Sequence, residues 1–64
     1  MTVQSYVFEA YNGIEIGLKS NKRFCVNGSV MKRPEDIKPN DVVCYLDAGG
    51  PEAKIKQLLR VENV

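Results

Sequence analysis

Two stretches decide how this chain folds: Tyr6-Val7-Phe8-Glu9-Ala10-Tyr11-Asn12-Gly13-Ile14-Glu15-Ile16-Gly17-Leu18, and Phe24-Cys25-Val26-Asn27-Gly28-Ser29-Val30-Met31. Each centres on an Asn-Gly pair flanked by β-branched and aromatic residues. Asn and Gly tolerate the positive φ that both central residues of a type I′ turn require, so each pair predicts a two-residue β-hairpin. In the first hairpin that turn opposes Tyr11 with Ile14, Glu9 with Ile16 and Val7 with Leu18. Strand side chains alternate, so Val3, Val7, Tyr11, Ile14, Ile16 and Leu18 share a buried face, with Glu9 as the exception. Tyr6, Phe8, Ala10, Glu15, Gly17 and Lys19 fall on the outer face. The second hairpin opposes Val26 with Ser29, Cys25 with Val30, Phe24 with Met31 and Arg23 with Lys32. Its middle is apolar on both faces and its base is strongly basic.

Further along, Pro34 in Arg33-Pro34-Glu35-Asp36-Ile37 is placed to open a single helical turn. Lys38-Pro39-Asn40-Asp41 reads as a β-turn, with Pro second and Asn third. Val42–Leu46 is a short apolar strand, and Asp47-Ala48-Gly49-Gly50-Pro51 has the composition of a loop. Residues 52–64 fit two periods. A helix would group Ile55, Leu58, Leu59 and Glu62. A strand would set Ala53, Ile55, Leu59 and Val61 against Lys54, Lys56, Arg60 and Glu62, with Leu58 breaking the alternation. One long or bent strand is the expected form, because the preceding elements imply a sheet that needs closing. The fold class is therefore all-β: one small domain over residues 1–64, built as a strongly bent sheet or a small barrel of about five strands.

Residues 18–43 resemble part of the Hint domains, the hedgehog and intein self-processing modules. There a Thr-x-x-His strand leads into a short hairpin and an Asp-Leu-Lys-x-Gly-Asp-x-Val turn. Ser20, Phe24, Val26-Asn27-Gly28 and Asp36-Ile37-Lys38-x-Asn40-Asp41-x-Val43 match that order in kind, over 26 of 64 residues. The resemblance implies a strand, hairpin, turn and strand in succession, a grammar shared with SH3-like barrels. It does not carry the chemistry across. The family's histidine would fall near Lys22, Thr2 follows Met1 where a Cys or Ser nucleophile would stand, and Asn63 has no histidine before it.

Composition narrows the function. The 64 residues include nine Lys+Arg, eight Asp+Glu and no histidine, for a net charge of +1. The commonest general base and metal ligand is thus missing, and two cysteines alone cannot complete a zinc site. Ser5, Ser20 and Ser29 have no base to activate them, nor do Cys25 and Cys44. Asp36 and Asp41 bracket a turn, where carboxylates cap backbone donors. Asp47-Ala48-Gly49-Gly50 lacks the lysine and helix of a phosphate loop. The expectation is a non-enzymatic protein without cofactor or metal. The start has neither the basic residues nor the apolar run of a signal peptide, and no 18 apolar residues are consecutive. Both cysteines sit in apolar runs, which fits buried thiols in a cytoplasmic protein with no membrane contact.

The charge is unevenly spread. Residues 1–18 sum to −2, residues 19–38 to +4 and residues 39–64 to −1. The expected second hairpin brings Arg23 beside Lys32 and Lys22 beside Arg33. Like charges facing across strands are destabilising, and a bound anion would relieve them. Lys19, Lys22, Arg23, Lys32 and Arg33, with Tyr6 and Phe8 as outer-face aromatics, are the candidate binding residues. Cations around open aromatics suit single-stranded nucleic acid, and aromatics equally anchor protein interfaces. Three readings follow. The first is a regulator or inhibitor that binds a partner protein, the second a nucleic-acid-binding barrel. The third is a structural module that forms homo-oligomers by pairing its strand edges.

Overall fold

The computed structural model describes residues 3–44 and 52–63. Six strands occur in chain order: β1 (Gln4–Ala10), β2 (Glu15–Lys19), β3 (Phe24–Val26), β4 (Val30–Lys32), β5 (Val42–Cys44) and β6 (Glu52–Asn63). One 3₁₀ turn, Pro34–Asp36, lies between β4 and β5, as the proline placement predicts. All pairings are antiparallel, in the order β2-β1-β6-β5-β3-β4. The fold is all-β. Of the two expected architectures it adopts the bent open sheet rather than the barrel: among the described residues no pairing joins β2 to β4, so the sheet keeps both edges. The loop expected at 47–51, and residues 45–46 of the fifth strand, lie outside the described residues.

Strand β6 makes the bend. Its first residues pair with β5, from Cys44↔Glu52 to Val42↔Lys54, and the remainder pairs with β1, from Ala10↔Ile55 to Gln4↔Asn63. The two half-sheets therefore share one strand and fold toward each other. Their inner faces enclose a single core: Phe8, Ala10, Ile16 and Leu18 from one side, Val26, Ile37 and Val43 from the other, and Ala53 and Ile55 from the shared strand. The irregular Leu58 has a local cause. The β1–β6 ladder shifts between Val7 and Phe8 and again between Glu9 and Ala10, leaving Leu59 and Lys56 as extra residues on β6. Two bulges put Ala53, Ile55, Leu58 and Val61 on the inner face, which plain alternation cannot do.

Both hairpins differ by one residue from the expected register. The first pairs Glu9 with Glu15, Phe8 with Ile16 and Tyr6 with Leu18. Its loop holds three residues, Tyr11, Asn12 and Gly13. The Ala10 N–H donates to the Ile14 carbonyl at 3.0 Å, and the Gly13 N–H donates to the Ala10 carbonyl at 2.9 Å. Gly13 alone takes the left-handed conformation (φ 89°), while the Asn12 side chain accepts from the Ile14 N–H at 3.1 Å. This is the three-residue hairpin class closed by a glycine bulge. A one-residue slip exchanges the faces of β1. Phe8 and Ala10 consequently lie in the core, and Tyr11 and Ile14 are exposed.

The second hairpin does place Asn27 and Gly28 at positive φ (54° and 81°), but the ladder resumes at Val26↔Val30. Ser29 is the additional loop residue. Asn27 is claimed by the next strand: its N–H donates to the Val42 carbonyl at 2.7 Å, and its side-chain oxygen accepts from the Val42 N–H at 3.0 Å. Cys25 lies directly opposite Cys44 on β5, both as thiols.

Candidate functional site

The one-residue slips rearrange the candidate residues. Phe8, expected on the outer face, is 2% exposed and offers no surface for stacking. Tyr6 shares the inner face with it and packs half-buried against the core. Lys19 pairs with Ser5 and so lies on the opposite face of the sheet from Tyr6. Lys32 opposes Phe24 rather than Arg23, and its Nζ sits 3.3 Å from Asp41 Oδ2. The expected four-cation cluster thus loses Lys32 to an internal ion pair. Lys19, Lys22, Arg23 and Arg33 are exposed, and among the described residues none of the four makes an ion pair.

What the fold brings together instead is a cleft of about 500 Å³ lined by Val3, Gln4, Tyr6, Ser20, Asn21, Arg33 and Glu35. Three segments build it. The start of β1 supplies Val3, Gln4 and Tyr6. The chain leaving β2 supplies Ser20 and Asn21, held to β1 on both sides. The Ser20 N–H donates to the Gln4 carbonyl at 2.8 Å, and the Ser20 Oγ accepts from the Gln4 N–H at 3.0 Å. The third wall is the 3₁₀ turn. Pro34 is buried, which leaves its neighbours Arg33 and Glu35 projecting along the cleft. Hydrogen bonds from the Asp36 N–H to the Arg33 carbonyl (2.9 Å) and from the Ile37 N–H to the Pro34 carbonyl (3.2 Å) fix that turn. Lys22 and Arg23 follow Asn21 in the chain, where the Lys22 N–H closes a turn onto the Lys19 carbonyl at 3.2 Å.

Of the sequence-derived candidates, the cleft joins Tyr6 and Arg33. Val3, Gln4, Ser20, Asn21 and Glu35 complete it and were not among the candidate binding residues. Polar residues at a strand start and in a connecting turn carry no local signal of a site. They gain one only through the β1–β2 pairing and the buried proline.

The opposite face of β1 is occupied by an ionic network. The Arg60 guanidinium donates to Glu62 at 3.0 Å and to Glu15 at 3.1 Å. Those two carboxylates, Glu62 first, hold its pKa above the ordinary value. Arg60 opposes Val7 on β1 while Glu15 is on β2, so the arginine stem crosses over Val7, which is only 5% exposed. Long cationic stems commonly cover apolar surface in this way. Among the described residues no group of three or more Cys, Asp or Glu side chains is arranged to hold a metal ion. Nor is any helix long and apolar enough to cross a membrane.

No family model matches the chain, and neither a curated protein nor a solved structure is detectably similar to it.

Proposed function

We propose that this chain is a non-enzymatic, cytoplasmic binding module that docks a partner protein in the Tyr6–Arg33 cleft and thereby modulates it. The observation that supports this reading is the mixed lining of one concave surface: a ring, a guanidinium, a carboxylate, two amides and a hydroxyl. A polypeptide presents complements to all of them at once. Its carboxylates suit Arg33, its basic side chains suit Glu35, its backbone suits Gln4 and Asn21, and its apolar side chains suit Tyr6 and Val3. Tyrosine and arginine are also the residue types that most often dominate protein interfaces. Glu35 in the lining disfavours a phosphate chain there. The cytoplasmic part of the reading rests on both cysteines lying in apolar runs, Phe24-Cys25-Val26 and Val43-Cys44-Tyr45, as thiols that act as small hydrophobes do.

The test is affinity capture from extracts of the source cells, followed by titration of each purified recovered protein. Arg33→Glu and Tyr6→Ala are each expected to weaken binding by about tenfold or more. Unchanged affinity in both variants rejects the cleft as the docking site.

A second reading has its own observation, the exposed cations Lys19, Lys22, Arg23 and Arg33 of the +4 block of residues 19–38, which make no ion pair among the described residues. They would contact a nucleic-acid backbone, with affinity falling steeply as salt rises. Absence of any anisotropy shift with single- or double-stranded DNA or RNA at low salt removes this reading.

A further inference from the structure

We infer that the protein forms a two-fold symmetric dimer, in which the outer edge of β6 over residues 57–62 pairs antiparallel with the same segment of a second copy. β6 is covered unequally along its length. Up to Lys54 it is flanked by β5, and at Ile55 it still exchanges hydrogen bonds with Asn40 (2.7 Å) and Asp41 (2.8 Å). Residues 56–63 have β1 on one side and, among the described residues, no strand on the other. A bare strand edge is a template for another strand, and folded proteins usually blunt it with proline, charge or shortness. Here the edge carries the charged Lys56, Arg60 and Glu62, but between them stand Leu58, Leu59 and Val61, exposed to 47%, 39% and 44%. These are three of the seven large apolar side chains exposed among the described residues.

The occupant is a second copy because this segment can face itself with apolar side chains matched on one face and polar side chains matched on the other. Cross-strand partners in a continuous sheet must lie on the same face. Leu58 and Val61 are both on the inner face, opposite Phe8 and Tyr6; Gln57 and Glu62 are both on the outer face, opposite Glu9 and Ser5. Pairing Leu58 with Val61 of the second copy also pairs Gln57 with its Glu62, and each pair occurs twice about the two-fold axis. Shifting the register by one residue in either direction sets Leu58 against Arg60 or Glu62 and breaks both matches. The favoured register joins four apolar side chains into one cluster beside Tyr6. On the other face it sets the Gln57 amide, which donates to Glu9 of its own copy at 2.8 Å, beside Glu62, which accepts from Arg60 of its own copy at 3.0 Å, so that a second amide hydrogen meets a second carboxylate oxygen. It also places the basic start of one segment, at Lys56, next to the acidic end of the other. The leucine bulge lies at the axis, where Leu59 faces Arg60 of the second copy.

Sedimentation equilibrium across the micromolar range tests the proposal, and a doubling of mass with concentration is expected. Leu58→Asp, which changes an exposed side chain, should keep the native circular dichroism and remain monomeric. Two further variants test the register itself. Both are made in a Glu9→Gln background, because Gln57 donates to Glu9 of its own copy at 2.8 Å. There Gln57→Glu puts like charges across the axis and should weaken dimerisation several-fold, whereas Gln57→Lys should strengthen it by a similar factor. In a mixed sample of isotope-labelled and unlabelled protein, contacts between Leu58 of one copy and Val61 of the other are expected. A strict monomer at high micromolar concentration overturns the proposal. So does a dimer that survives Leu58→Asp, or one without the Leu58–Val61 contact. Arg33 and Tyr6 are unchanged in all three variants, so the cleft reading stands or falls separately.

Discussion

Asp41 ties together three parts of the chain with one carboxylate. Its Oδ2 accepts from the Lys38 N–H at 3.0 Å and from Lys32 Nζ at 3.3 Å, while its Oδ1 accepts from the Asn27 side chain at 3.3 Å. The turn it closes was legible, because Pro39 and Asn40 suit the second and third positions of a type II turn. Asn40 indeed sits at φ 75°, and the Asp41 N–H donates to the Lys38 carbonyl at 3.1 Å. The ion pair with Lys32 was not legible, since it depends on the register of a hairpin nine residues away. The backbone donor from Lys38, and after it the Asn27 and Lys32 side chains, hold the Asp41 pKa below the ordinary carboxylate value despite partial burial. A folded-state pKa below the unfolded one contributes stability above the unfolded value and loses it as pH falls through the folded value. Asp41→Asn should therefore cost about 1–2 kcal/mol at neutral pH. The gap between variant and wild type should narrow in acid, as pH falls through the lowered folded-state value and the Asp41 carboxylate takes up its proton. Urea denaturation at the two pH values checks both parts, and a gap that does not narrow in acid contradicts the assignment.

At the scale of elements, the sequence declares where the chain turns more clearly than how long each turn is. Asn12-Gly13 and Asn27-Gly28 both mark real hairpins, yet each loop takes a third residue. In the first, Asn12 uses its side chain to cap Ile14 instead of adopting positive φ. In the second, Asn27 is bonded to β5, a strand the dipeptide cannot report. The slip had a large consequence for the expected site, because it moved Phe8 into the core and Lys32 to Asp41. The long final strand was legible from the sheet that the preceding elements imply rather than from its own period, which fitted a helix as well. Leu58, the residue that broke the alternation, marks a bulge and takes the inner-face place expected of Leu59. The β3–β5 register makes a separate chemical prediction. Directly opposed residues on antiparallel strands have Cα atoms about 4.5–5.5 Å apart, inside the range a disulfide spans. Oxidised glutathione should convert the Cys25 and Cys44 thiols to one disulfide, releasing two glutathione thiols for each bond formed. Cys25, the half-exposed member of the pair, is placed to react first. The bond would raise stability by about 3 kcal/mol through the loop it closes. Mass spectrometry and thermal denaturation measure both. Failure of the intact protein to form this intramolecular bond argues against the register.

For the whole molecule, one residue links the halves more than any other. Ile55 is fully buried, faces Ala10 on β1, and bonds through its backbone to Asn40 and Asp41 beside β5. Ile55→Ala should cost about 2–5 kcal/mol. A domain of this length has a total stability of roughly 3–10 kcal/mol, so that single change should leave much of it unfolded. Val30→Ala, at a side chain 49% exposed, should cost under about 1 kcal/mol. Denaturant midpoints for the two variants give the comparison, and similar losses at both sites would place the core elsewhere.

The shared strand also sets the order in which a growing chain can become native. β1 and β5 touch the same strand, and that strand is the last of the six to be synthesised. While β6 is still inside the ribosome, the β1–β2 hairpin and the β3–β4–β5 group have no ladder between them, and Phe8 and Leu18 lack Ile55 as a neighbour in the core. Two-stranded hairpins hold little structure alone, and pairing elements so far apart in sequence is slow. Until β6 is available the apolar faces of the two groups stay uncovered, and native packing waits for that strand.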